Sequence, residues 1–213
     1  MCDATVTDLN SSGDSLFAAA MTQDFVDWAL GNLGFSEGDW NKGYGFGDET
    51  NLMLPLARTL TAIRCLNNSV VDKGEDWSSD ILHWARRFFR ERIVGLAARC
   101  RSNSSPESAA ATPRGYRAGR TLLFVPFFYE RTVPERAGTL LHEARHADDV
   151  PHNAGKRDSS WEYDGAWRWH VCWLAWFISS GVVTSPVLKD KARQRANFIL
   201  DERFVKWPGF SIK

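Results

Sequence analysis

The chain has 213 residues, 26 Lys and Arg against 26 Asp and Glu, and 44% apolar residues. That length supports one well-buried core or at most two small lobes, and the charge balance creates no global field toward nucleic acid or an anionic membrane. The longest apolar stretch, 167–178, is interrupted by Arg168 and His170 and is too short to span a bilayer.

The first fourteen positions are polar and lack the apolar centre of a signal peptide. The expectation is a cytoplasmic protein or a mature secreted form lacking its leader. A first helix is expected over 14–30, with Phe17, Met21, Phe25 and Trp28 on one face and Gly31 and Gly34 ending it. The glycine-aromatic run 43–47 lacks the lysine of a phosphate loop and any strand before it, so it is not read as a nucleotide site. A second helix starts near Pro55 and runs over 54–67, carrying Leu56, Leu60 and Ile63. A third is expected over 79–100 behind a cap at Ser78 or Ser79, with Ile81, Ala85, Phe88, Ile93, Leu96 and Cys100 at helical spacing. Residues 102–118 are small, polar and proline-bearing, and read as a mobile loop. The expected organisation is a single domain, 1–213. It comprises an N-terminal helical layer over 14–101, the loop 102–118, and a second half, 119–213, that holds the functional residues.

That half opens with a strand at about 120–129, rich in aromatic and β-branched residues, which Pro126 places at a sheet edge. After Thr132, Pro134 and Glu135 suit a first helical turn. Ala137, Leu140, Leu141 and Ala144 give that helix one apolar stripe, and His142 and His146 lie at its border. A further helix over about 160–179 carries Tyr163, Trp167, His170, Leu174 and Phe177 at helical spacing, a pattern that plain core packing explains. The last helix opens at Ser185-Pro186 and runs to about Val205. The four cysteines, Cys2, Cys65, Cys100 and Cys172, are scattered without a C-x-x-C pair, so buried free thiols are expected. The overall expectation is an α+β fold, predominantly helical.

Residues 142–146 spell H-E-x-x-H. On a helix, positions i and i+4 share a face with Cβ atoms roughly 5–6 Å apart, so His142 and His146 can grip one metal ion while Glu143 lies beside it as a base. Three of the five histidines fall within 142–152. A strand followed by a helix carrying this motif resembles the zincin metallopeptidases over roughly residues 118–180. The stretch 142–152 matches the metzincin pattern H-E-x-x-H-x-x-G-x-x-H except that Asp149 stands at the glycine, and no methionine follows Met53 to form a methionine turn. Aspartate tolerates the left-handed backbone that such a turn needs.

The resemblance implies a zincin-like motif helix beside a small sheet whose edge strand accepts an extended peptide. It also implies Zn(2+) on His142, His146 and a third ligand, with Glu143 as general base in peptide or protein hydrolysis. Metzincin spacing names His152 as that ligand, while thermolysin-like zincins point to Glu162, and others to Asp164. Tyr163 and His170 are candidate donors to a developing oxyanion. Any of Asp148, Asp149, Asp158 and Asp164 can orient a ligand imidazole. Two other readings stay open: another hydrolase or a redox enzyme using Fe(2+), and a non-catalytic binding protein stabilised by zinc. The five tryptophans between Trp161 and Trp176 serve a dense core or an apolar cleft equally well.

Overall fold

The computed structural model describes residues 23–33, 59–60, 62–63, 65–66, 91–93, 95–100, 110–111, 120–125, 131–180 and 186–213. Its labelled elements are α1 (Gln23–Asn32), β1 (Gly95–Cys100), β2 (Ala110–Ala111), β3 (Arg120–Val125), α2 (Val133–Ala147), a 3-10 turn (Trp161–Tyr163), α3 (Ala166–Ser180) and α4 (Pro186–Glu202). The fold is α+β and mostly helical, with one small mixed sheet.

The sheet departs from the sequence reading in three places. β3 is its central strand, parallel to β1 along six residue pairs and antiparallel to β2. The expected edge at 120–129 is therefore corrected over 120–125, and Pro126 lies outside the described residues. Among the described residues β1 pairs β3 along all six positions and β2 pairs it at Leu122 and Leu123, so β3 is not the free edge expected for strand addition. Second, of the helix expected over 79–100, Glu91 and Arg92 are helical and Gly95–Cys100 form β1, while residues 79–90 and 94 lie outside the described residues. Gly95, Leu96 and Ala97 are all buried, and a strand covered on both faces shows no apolar–polar alternation. Ile93, Leu96 and Cys100 thus matched helical spacing without forming a helix. Third, β2 interrupts the segment 102–118 expected to be a loop.

α1 continues through Gly31 to Asn32, whose side-chain amide donates to the Trp28 carbonyl at 2.7 Å. Residues 14–22 of that expected helix lie outside the described residues. The helical residues 59–60, 62–63 and 65–66 bury Leu60 and Ile63, as their spacing predicts. Cys65 and Cys172 are free thiols, and burial raises the Cys172 pKa far above the ordinary thiol range.

α2 starts where its sequence says it should. Thr132 caps it, its hydroxyl accepting from the Glu135 amide while the Glu135 carboxylate accepts from the Thr132 amide. This reciprocal capping box satisfies two otherwise orphaned donors. The stripe Ala137, Leu140, Leu141 and Ala144 is fully buried, packed on α3, which in turn packs on α4. Trp173 on α3 donates its indole N–H to the Pro134 carbonyl at 2.9 Å. Arg136, also fully buried, donates to the Arg131 carbonyl and, at 3.1 Å, to the Thr59 hydroxyl. The approach of α2 to α3 depends on Gly138, because a Cβ there would lie 2.5 Å from Cδ2 and 2.6 Å from Nε2 of His170.

α3 begins at Ala166, six residues later than expected. Asp164 takes a left-handed conformation, φ 57°, that ends the 3-10 turn and breaks any continuous helix from 160. Tyr163 thereby leaves the stripe formed by Trp167, His170, Leu174 and Phe177, all four of which are buried. No helix among the described residues is long and apolar enough to cross a membrane.

Candidate metal centre

The helical spacing of α2 brings the His142 and His146 rings together, their Nε2 atoms 3.1 Å apart. Two nitrogens on one tetrahedral zinc, each at about 2.0–2.1 Å, stand about 3.3 Å from one another. The pair therefore fits a shared ion. Beyond α2 the chain must reverse to bring a third donor back, and Asp149 does this with φ 59° at the position where the metzincin pattern has glycine. The α2 end is closed by the Asp148 and Asp149 amides, which donate to Arg145 and His146 carbonyls. His152 returns to the cluster with its ring centroid 5.1 Å from His142 and 4.6 Å from His146. One donor nitrogen from each of the three histidines lies within 4.8 Å of the others.

Their outward nitrogens are tied in ways that fix the inward ones. His146 Nδ1 lies 2.8 Å from the Val150 carbonyl, and His152 Nδ1 lies 2.8 Å from Asp158 Oδ1. A carbonyl or carboxylate oxygen only accepts, so each Nδ1 carries the proton and each Nε2 keeps its lone pair for a cation. His142 is 6% exposed, and its pKa lies well below the ordinary value. Desolvation is the main cause, followed by the neighbouring His146, His152 and His170, against a smaller opposing pull from the Ala166 backbone. Burial thus keeps its imidazole neutral, the form a metal requires.

Of the four aspartates near the motif, Asp158 is the one that reaches a ligand imidazole among the described residues. It is fully buried and both oxygens are engaged, Oδ1 by His152 and Oδ2 by the Trp167 amide at 3.2 Å. Its own backbone is held between Arg203 and Val205, through hydrogen bonds of 2.9 Å on each side. Gly165 leaves the room this carboxylate needs, since a Cβ there would come within 2.4 Å of Oδ2. Asp148 pairs instead with Arg92 and Arg145, while Asp164 accepts from Arg145 and the Trp169 indole.

The rival third ligands lie elsewhere. Glu162 is exposed on the 3-10 turn, where hydrogen bonds from the Ser160 side chain and its own backbone lower its pKa. Asp164 is committed to Arg145, which also binds its carbonyl at 2.9 Å and stacks over Trp169. Tyr163, expected to face an oxyanion, donates its hydroxyl to the Pro151 carbonyl at 2.6 Å. That bond braces the residue before His152. His170 is 2% exposed and packs against Gly138, its ring 6.0 Å from His142. Glu143, 4% exposed, follows His142 directly on α2.

Trp167 forms one wall, with its ring 4.2 Å from His142 and stacked on His152 at 5.4 Å and 15°. Its place on a buried stripe was readable, but its contact with the histidines was not. No family model, no curated protein and no solved structure matches the chain. The likeness to zincins therefore rests on the motif residues alone.

Proposed function

We propose that the chain is a zinc-dependent hydrolase, cleaving an amide bond in a peptide or a closely related substrate. One observation carries this reading: three imidazoles converge, and two of them are oriented by outward hydrogen bonds so that their Nε2 lone pairs face inward. Structural zinc sites are closed by four protein ligands, whereas catalytic ones use three and leave a position for water. The gathered donors among the described residues number three, which favours catalysis over a purely structural ion. Neutral nitrogen donors without a thiolate suit Zn(2+) and also Fe(2+).

His142, His146 and His152 would hold the zinc, which when bound would supply Lewis acidity, lowering the pKa of a water toward neutrality and polarising a carbonyl. Glu143 accepts the proton of the attacking water and hands it to the leaving amine. Asp158 holds His152 in the tautomer that presents Nε2, and the Val150 carbonyl does the same for His146. Trp167 covers one side of His142 and His152.

The test is Glu143→Gln, assayed for hydrolysis of a mixed peptide library alongside zinc content. The expected result is full zinc occupancy with turnover reduced by at least about 100-fold, the range for a lost general base. Turnover retained in this variant would remove Glu143 from the mechanism, and a zinc-free variant would make it structural instead.

A further inference from the structure

Arg145 is the one charged residue of the H-E-x-x-H segment that neither metal binding nor proton transfer uses. Its side chain runs from α2 to the start of α3, where it is 14% exposed and each of its three nitrogens has an acceptor. Nε and Nη2 both donate to the Asp164 carbonyl, at 3.1 and 2.9 Å, and Nη2 also donates to Asp164 Oδ2 at 3.1 Å. Nη1 donates to Asp148 Oδ2 at 3.4 Å, and Cζ lies 4.5 Å from the Trp169 ring centroid. A planar fork of donors suits this work, which the point charge of an ammonium cannot reproduce.

The residues it grips belong to the two chain reversals that frame His152. Asp148 precedes Asp149, φ 59°, and Asp164 itself has φ 57°; these are the two non-glycine residues with left-handed backbone among the described residues. A residue with a Cβ seldom holds that conformation unless its surroundings enforce it. The reversal at Asp164 also decides where Tyr163 points. It turns the ring away from α3 and sets the hydroxyl 2.6 Å from the Pro151 carbonyl. That carbonyl belongs to the peptide unit that carries the His152 amide, so Tyr163 holds the His152 backbone while Asp158 holds its ring. Gly165 makes room for both supports, since a Cβ there would lie 2.4 Å from Asp158 Oδ2 and 2.8 Å from Tyr163 Cδ1. His142 and His146 are placed by the helix that carries them, whereas His152 lies past its end and depends on tertiary contacts.

We infer that Arg145 is a positioning residue for the third metal ligand: through the Asp164 carbonyl and the Tyr163 hydroxyl it fixes where His152 stands relative to His142 and His146. This role rests on the metal-centre reading and is independent of the bond that is cleaved. Two of the three bonds to Asp164 end on its carbonyl, so an asparagine at 164, which also tolerates the left-handed backbone, keeps the tie.

The test is zinc affinity of the full chain by chelator competition, with the visible spectrum of the cobalt(II)-loaded protein and hydrogen exchange of the metal-free protein. Arg145→Met and Tyr163→Phe should each bind zinc at least about tenfold more weakly than wild type, the usual cost of losing a group that orients a ligand. The double variant should be no weaker than the worse single one by more than about threefold, because both act through one chain of contacts. Arg145→Lys should retain part of the affinity. The cobalt spectrum of Arg145→Met should shift toward that of His152→Ala, and exchange should rise over residues 150–158 in both single variants. Thr132→Ala, which loosens α2 at its far end, should bind zinc as wild type does. Wild-type zinc affinity in Arg145→Met and Tyr163→Phe, losses that multiply in the double variant, or an equal loss in Thr132→Ala each overturns the role. If Arg145→Met does not fold, Tyr163→Phe and Arg145→Lys decide. A wild-type chain that takes up neither zinc nor cobalt defeats the metal-centre reading. Exchange over 150–158 then judges the tie alone, which stands if protection falls in the two variants and fails if it does not.

Discussion

Replacing Asp158 by Asn removes a charge without changing the size of a fully buried side chain. The carboxylate accepts from two donors, His152 Nδ1 on one oxygen and the Trp167 amide on the other. An Asn has one acceptor oxygen, so its NH2 must face one of those donors. If the amide oxygen serves Trp167, the NH2 confronts the His152 Nδ1–H, and the imidazole flips tautomer or turns away. If it serves His152, the Trp167 amide is left buried and unsatisfied. The first outcome weakens zinc binding by about 10–100-fold, the usual cost of losing such a partner, equivalent to about 1.4–2.7 kcal/mol. The second costs about 1–3 kcal/mol of folding stability. Chelator competition measures the zinc affinity and urea unfolding of the metal-free chain measures the stability, with Asp164→Asn as a control that leaves zinc affinity intact. An Asp158→Asn protein unchanged in both respects would refute the role assigned to this carboxylate.

Three further outcomes follow from the same geometry. Gly138→Ala drives a methyl into the His170 ring, so a loss of about 1–3 kcal/mol is expected despite the better helix propensity of alanine; a variant as stable as wild type in urea contradicts the close α2–α3 approach. Thr132→Ala removes the capping box of α2 and should cost about 0.5–2 kcal/mol, measured the same way. His142 and His170 both have folded-state pKa values well below the ordinary one, so the unfolded chain binds more protons once pH drops under about 6.5. Metal-free protein should then lose up to about 1.4 kcal/mol per pH unit from each group between pH 6.5 and 5.5; a urea midpoint that stays flat across that window contradicts their buried, neutral state.

The sequence was most legible where its signals are local. Pro134 and Glu135 mark a helix start, and the alanine–leucine stripe orients that helix, so α2 and the His142–His146 pair could be read directly. The turn at Asp149 was readable because only a few residue types accept a left-handed backbone. Elements that depend on distant partners were not legible. β1 looks helical until β3 covers it, and β3 looks like an edge strand until β1 and β2 flank it. Asp158 stood undistinguished among four aspartates because what selects it is the Arg203–Val205 backbone on one side and Gly165 on the other. Tyr163 falls outside the α3 stripe because of one local event, the left-handed Asp164.

The claim on which the rest depends is that His142, His146 and His152 share one divalent cation. Elemental analysis of the purified chain after zinc incubation and desalting, beside His152→Ala and Glu162→Ala, tests it most directly. One zinc per chain in wild type and Glu162→Ala, with loss in His152→Ala, is the expected result. A wild-type chain that holds no metal, or one whose zinc survives in His152→Ala and disappears in Glu162→Ala, would contradict it.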